Sequence, residues 1–210
     1  MKTFLRQLEL GQLATNTYIM GDAETGRVFI IDPAAEPKRI EETLERDGLR
    51  PEVLLLTHAH YDHIGAADAL RDRYRIPLWC GKDDAPMLKS PGSNLSVYFG
   101  EPVALEADRL YEDGQEFRTP CGKMEVIATP GHTAGSVCLY FPERAILFSG
   151  DTLFKGSVGR TDFPTGDSRQ LLASLRNVIL KLPPETRVFP GHGEETTIEY
   201  EKKHNPYARS

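Results

Sequence analysis

Apolar positions fall into short runs separated by glycine, proline and charge. "TFLRQLEL" (3–10) alternates loosely between apolar and polar residues. "TNTYIMGD" (15–22) and "RVFIID" (27–32) flank "AETG", a turn-like stretch ending in Gly26, and predict a hairpin. The period changes in "DPAAEPKRIEETLERDGL" (32–49), where Ile40 and Leu44 lie on one helical face and Gly48 is a stop. "EVLLLT" (52–57) reads as a buried strand, "HIGAADALRDRY" from His63 as a helix, and "IPLWC" (76–80) as another strand. Proline and glycine punctuate "KDDAPMLKSPGSNLSVYFGE" (82–101), which predicts loops with a helical turn or more.

The second half returns to β-type runs: "MEVIATPGHT" (124–133), "SVCLYF" (136–141), "AILFSGD" (145–151) and "RVFPGHG" (187–193). Between the last two, "DSRQLLASLRNVILKLP" (167–183) predicts one amphipathic helix. Its apolar positions Leu171, Leu172, Leu175, Val178, Ile179 and Leu182 follow steps of three and four, and the proline pair at 183–184 ends it. No linker divides the chain, so residues 1–210 are expected to form a single domain, a two-sheet core with helices outside.

Composition narrows the partners. A net charge of −6 leaves no basic excess for a nucleic-acid backbone. The N-terminal stretch carries charges inside its apolar part, unlike a signal peptide, and no run approaches the ~18 apolar residues of a membrane span. Cys80, Cys121 and Cys138 are odd in number, widely spaced and without a C-x-x-C. They are expected as small buried or half-buried thiols in a reducing cytosol rather than as disulfides or a zinc ribbon.

The chemistry concentrates at strand ends. "VLLLT" runs into His58, "VIAT" into Pro130-Gly131-His132, "ILFSG" into Asp151, and "RVF" into Pro190-Gly191-His192. Five of the six histidines sit in or after these runs. In an extended segment His58 and His60 point the same way, so both imidazoles reach one ion. Asp62 and His63, where a helix begins, are placed to serve a second. His132 completes the first site and His192 the second, and Asp151, with two oxygens, is able to bridge them. This nitrogen and oxygen set suits two divalent metals, zinc first, with iron or manganese also compatible. A metal lowers the pKa of bound water towards ~7, so hydroxide is available at neutral pH without a serine or cysteine nucleophile. Asp62 is then placed to orient that hydroxide or take its proton.

The pattern T-H-x-H-x-D-H (57–63), followed by G-H (131–132), G-D (150–151) and G-H (191–192), resembles the metallo-β-lactamase superfamily. The resemblance implies a four-layer αββα sandwich with the metal site at one edge between the sheets. It assigns His58, His60 and His132 to one metal, Asp62, His63 and His192 to the other, and Asp151 to both. The stretch "GDTLFKGSVGRTDFPTGD" (150–167) looks like the glyoxalase II branch, whose members hydrolyse S-D-lactoylglutathione. That likeness implies a cytoplasmic thioesterase acting on a small-molecule thioester, with Arg160 at the position of a basic glutathione contact.

Two departures loosen the glutathione expectation: Asp162 stands where those enzymes have tyrosine, and only 18 residues follow His192, room for one short helix. The chain thus looks like the short bacterial glyoxalase-II-like hydrolases. A persulfide dioxygenase, which shares a "GRTDF" stretch and would hold one iron through His58, His132 and Asp151, is the alternative reading. A non-catalytic metal-binding module is the alternative from another class. Trp79 is read as a packing residue. Residues 86–101, with Tyr98 and Phe99, are read as a simple connection or as a lid or pocket wall.

Overall fold

The computed structural model describes residues 2–99 and 101–209; Gly100, within the irregular stretch 86–101, lies outside them. Two six-stranded sheets form among these residues. The first runs in chain order through β1 (Thr3–Leu10), β2 (Thr15–Asp22), β3 (Arg27–Ile31), β4 (Arg50–Leu55), β5 (Leu78–Gly81) and β6 (Arg109–Tyr111). β1 to β3 are antiparallel, and "AETG" makes the expected hairpin; β3 to β6 are parallel. Parallel neighbours need crossovers. These carry α1 (Pro37–Arg46), then α2 (Tyr61–Ile64) and α3 (Ala67–Tyr74), then α4 (Ala85–Leu88).

The second sheet holds β7 (Glu116–Thr119), β8 (Gly122–Ala128), β9 (Val137–Phe141), β10 (Ile146–Gly150), β11 (Arg187–Pro190) and β12 (Thr196–Thr197), in the order β12-β11-β10-β9-β8-β7. Only β10 and β11 pair in parallel, and α5 (Ser168–Ala173) lies in their crossover. α6 (Ile198–His204) follows β12.

Period-two alternation sends each strand's side chains to two apolar environments. Met20, Phe29, Ile31, Val126, Leu139, Phe141 and Phe148 meet between the sheets, where Phe29 and Phe141 stack with centroids 5.4 Å apart. Their alternates Ile19, Val28 and Ile30 pack outward on Ile40 and Leu44 of α1 and Leu70 of α3. On the other side Cys138, Leu147 and Val188 pack on Leu175, Ile179 and Ile198. Both faces of each sheet are covered, which is why the central strands read as near-continuous apolar runs. The result is the four-layer αββα sandwich, each fully buried large side chain contributing about 1.5–3 kcal/mol.

Two local expectations change. Residues 167–183 are not one regular helix. Asp167 caps α5 by accepting from the N–H groups of Arg169 (2.8 Å) and Gln170 (3.0 Å); a π turn (Ser174–Val178) and a 3₁₀ turn (Ile179–Lys181) come next. A π turn takes an extra residue into its ring and rotates the later residues about the helix axis. Leu175 and Ile179 stay buried, but Val178, expected on the apolar face, is 39% exposed. The helix expected from His63 begins at Tyr61 and breaks at Gly65–Ala66. The short strands β6, β7 and β12 lack an apolar run and leave no periodic signal.

The cysteines are buried free thiols, and Trp79 packs against Phe117 and Arg109, both as expected. Among the described residues no helix is long and apolar enough to cross a membrane.

Candidate metal centre

The site forms at the edge where β3, β4, β8, β10 and β11 end. Asp32 follows β3, His58 to His63 follow β4, His132 follows β8, Asp151 follows β10 and His192 follows β11. The two sheets are tied together at this edge. Val137 N–H donates to Thr57 O (2.9 Å) and Asn16 N–H to Gly191 O (2.7 Å). Gly191 is needed for close approach: a Cβ there would run into the Asp151 carboxylate and the His63 ring. Gly131 has φ +136°, which side chains rarely adopt, and a Cβ there would strike the backbone of Leu171.

The structure brings all seven sequence-predicted side chains together. Three overlapping groups have donor atoms within 4.8 Å of one another: His58, His60 and His132; His58, His63 and Asp151; and Asp62, His63 and His192. Asp151 lies between the outer two, with Oδ1 3.4 Å from His63 Nε2 and Oδ2 3.5 Å from His132 Nε2 and 3.6 Å from His192 Nε2. Asp62 Oδ2 is 3.3 Å from His192 Nε2 and accepts a hydrogen bond from Thr15 Oγ1 (2.9 Å).

Four buried atoms here, His58 Nε2, His60 Nε2, His63 Nε2 and Asp151 Oδ1, have no hydrogen-bond partner. An unpaired buried polar atom is costly, so four in one cluster mark a place built for a cation. The donor set, imidazole nitrogens and carboxylate oxygens without thiolate, fits divalent metals.

The other ring nitrogen of His58, His63, His132 and His192 faces an oxygen, whereas that of His60 (Nδ1) lies 2.9 Å from His132 Nε2. His63 Nδ1–H donates to Asp32 Oδ2 (2.9 Å), His132 Nδ1–H to the Arg160 carbonyl (2.7 Å) and His192 Nδ1–H to the Leu13 carbonyl (3.1 Å). His58 Nδ1 sits 3.1 Å from Thr57 Oγ1, whose hydroxyl donates to Asp32 (2.6 Å). These bonds fix the tautomers of those four rings and turn their Nε2 lone pairs inward. Asp84, also buried, accepts from Ala59 N–H (2.9 Å), Thr133 Oγ1 (2.8 Å) and Gly135 N–H (2.8 Å), latching the loop of His58 and His60 to that of His132.

Electrostatics follow from burial and neighbours. Burial, reinforced by the surrounding imidazoles, pushes His58 well below the ordinary histidine range and His60 down to about 3. Both are therefore neutral, the form that ligates metals. Burial also disfavours the charged forms of Asp62 and Asp151, but His63 and its neighbours outweigh it and hold both carboxyls low. In His63 and His192 burial is likewise outweighed, by the facing carboxylates, and both values are raised.

Above the centre lies a cavity of about 490 Å³ walled by Leu13, Leu95, Phe99, Phe154 and Phe163. Tyr61 stacks on Phe99 with centroids 4.4 Å apart, so part of the irregular stretch 86–101 is a pocket wall. Arg160 also lines the cavity, but Asp162 takes its guanidinium at both ends (2.7 Å each) and the group lies over the Phe163 ring.

Asp32, Thr15, Asp84 and the walls Leu13, Phe154 and Phe163 escape sequence reasoning. Asp32 has one usable signal, its place just after the apolar run "RVFII".

Comparison with known proteins agrees with this geometry. The chain is 36% identical over 204 residues to the probable metallo-hydrolase YqgX of Bacillus subtilis (strain 168), covering 96% of each. It is 36% identical over 184 residues to the hydroxyacylglutathione hydrolase GloC of Haemophilus influenzae, covering 86% of this chain and 87% of that one. Among solved structures, the BLEG-1 B3 metallo-beta-lactamase superposes with a TM-score of 0.94 at 40% identity, over 99% of this chain and 100% of that one. TTHA1623 in a di-iron-bound form gives 0.87 at 38%, over 96% and 99%. ETHE1 from Myxococcus xanthus gives 0.81 at 33%, over 98% and 84%. The model of the metallo-beta-lactamase superfamily matches residues 10–192, a span that takes in every side chain of the centre, and the chain belongs to that superfamily.

Proposed function

We propose that the protein is a thioester hydrolase of the hydroxyacylglutathione hydrolase kind, acting on S-D-lactoylglutathione or a related thioester with two divalent metals, zinc first. The observation that carries this reading is the convergence of seven donor side chains, four with orphaned buried atoms, beneath an apolar cavity. His58, His60 and His132 would hold one ion and Asp62, His63 and His192 the other, with Asp151 shared. Similarity to GloC supports the thioester substrate. When bound, such ions supply an activated water and a Lewis acid for the carbonyl oxygen.

The chain supplies the rest. No serine, threonine or cysteine is among the described residues lining the cavity, so the nucleophile is water rather than a side chain. Asp62, anchored through Oδ2 by Thr15, orients that water; its low proton affinity means that it passes a proton on to solvent and does not store it. Leu95, Phe99, Phe154 and Phe163 exclude bulk water and so strengthen electrostatics at the reacting carbonyl. A thiolate leaves without a strong proton donor, since thiols ionise near ~8.5. Among the described residues lining the cavity, and apart from the metal-ligand set and Arg160, the titratable donor is the Tyr61 phenol, which is pushed up to about 12 by burial and by Asp62.

The decisive experiment combines metal analysis with a thioester assay. About two divalent ions per chain and turnover of S-D-lactoylglutathione are expected from this ligand set. One tightly held iron, with oxygen uptake on glutathione persulfide, would replace this reading by the dioxygenase one. Bound metal with no turnover of any thioester would sink the hydrolase reading outright.

A further inference from the structure

The C-terminal segment hides a buried carboxylate that the metal centre does not use. Glu201 on α6 is 0% exposed, and no lysine or arginine pairs with it among the described residues. A buried charge without a cation is expensive unless several donors converge on it. Here three do, from separate segments. Thr196 Oγ1 on β12 donates to Oε1 (2.6 Å) and Asn205 Nδ2, just past α6, to Oε2 (2.7 Å). Gly156 N–H, in the loop after β10, donates to both oxygens (3.2 and 3.0 Å). Asn205, itself 0% exposed, adds a second tie by donating from Nδ2 to Ser157 O (3.1 Å).

The loop held in this way runs from Asp151 to Ser157. Its first residue faces both halves of the centre, and Phe154 walls the cavity with its ring edge-on to His192, centroids 5.9 Å apart. Phe154 and Ser157 close a tight turn by exchanging backbone hydrogen bonds of 3.0 and 3.1 Å, and Gly156 sits in that turn at φ +70°. A carboxylate that gathers a backbone N–H, a hydroxyl and an amide fixes the far end of this turn relative to α6. Mere packing would be served by an apolar residue at lower cost.

We propose that Glu201 is a positioning residue for the substrate cleft: through Gly156 it sets the Phe154 turn against His192, so that the last helix shapes the pocket without touching it. This rests on the reading that the cavity above the metals receives the substrate.

A double-mutant cycle on the metal-loaded enzyme tests it. Glu201→Gln keeps the shape but turns an NH2 towards donors. It is expected to raise KM for a thioester roughly five- to tenfold, the size of one mispaired buried group, with kcat and metal content little changed. Phe154→Ala is expected to act in the same direction, and the double variant to be no worse than Phe154→Ala alone, because both act through one ring. Two further signals need no turnover: faster amide exchange at Gly156 and displaced His192 ring-proton resonances in Glu201→Gln. If Glu201→Gln does not fold, Thr196→Val removes one donor and gives the same test in milder form. KM effects that multiply independently, or a lowered Tm with KM and Gly156 exchange unchanged, would overturn the proposal. An inactive wild-type enzyme would instead count against the hydrolase reading, while the exchange and resonance data still decide the role of Glu201.

Discussion

Asp32→Asn probes whether the centre depends on how its histidines are held. Asp32 is buried and accepts three hydrogen bonds: from Thr57 N–H (2.7 Å), Thr57 Oγ1 (2.6 Å) and His63 Nδ1–H (2.9 Å). Its φ of +48° lies in the left-handed region, which asparagine tolerates, so the change adds no backbone strain. Asparagine keeps an acceptor for the Thr57 amide but places an NH2 where Oδ2 took two donors. Thr57 must then rotate and His63 must change tautomer or swing. Since Thr57 Oγ1 also faces His58 Nδ1, one atom disturbs a ring in each of the three groups.

Loss of such a partner costs about 10- to 100-fold in metal affinity. That is about 1.4–2.7 kcal/mol, at about 1.36 kcal/mol per decade. The mispaired buried groups cost the metal-free fold about 1–3 kcal/mol. At roughly 2–4 °C per kcal/mol for a chain of this size, the metal-free Tm falls by several degrees. Affinity is measured by competition with a chromophoric chelator, and Tm by calorimetry with chelator present. Activity should fall with occupancy and recover in part at excess metal. A folded variant with wild-type affinity would refute the claim that Asp32 sets the rings.

Four further outcomes are expected. Arg160→Ala should raise KM several-fold for a thioester bearing carboxylates and leave kcat nearly intact, as for a remote contact. Asp162→Asn should lower that KM, because an exposed ion pair of this kind is weak and releases Arg160 cheaply; steady-state kinetics unchanged in both variants would make Arg160 a surface residue. Gly131→Ala forces a side chain into φ +136° and against Leu171, so a loss of about 2 kcal/mol or more and weakened metal binding are expected; normal Tm and metal content would contradict it. Acid should destabilise the chelated protein below pH 6.5. His60 binds its proton at about 3 when folded against 6.5 ordinarily, so its contribution is full above 6.5 and is lost as pH falls towards 3. His63 and His192, shifted upward, contribute fully throughout that window and leave the slope unchanged. A flat Tm profile across it would show that His60 is not held neutral by burial.

The legible parts of the fold are those whose signal is local. Apolar runs mark the central strands because both faces of each sheet are covered, and a donor residue after each run marks the centre, because side chains at strand ends share one edge. β6, β7 and β12 leave no trace in the pattern, since short edge strands need no apolar run. The helical period at 167–183 misplaces Val178 because a π turn changes the phase of a pattern without changing its composition. Asp32 and Asp84 escape for another reason. Their partners lie 25 to 51 positions away, and nothing near them in the chain records that distance.

The same contrast bears on what holds the site together. Its donors come from both halves of the chain, and each half alone offers too few. His58, His60, Asp62 and His63 stand at the end of one sheet, and His132, Asp151 and His192 at the end of the other. Backbone bonds from Asn16 to Gly191 and from Val137 to Thr57 cross between them. Ions bound here would therefore act as straps between the sheets. The free energy of metal binding then adds to the docking of the halves, since the unfolded chain presents no such arrangement. Orphaned atoms such as His63 Nε2 and Asp151 Oδ1, one from each half, are the cost the fold bears until that strap is in place.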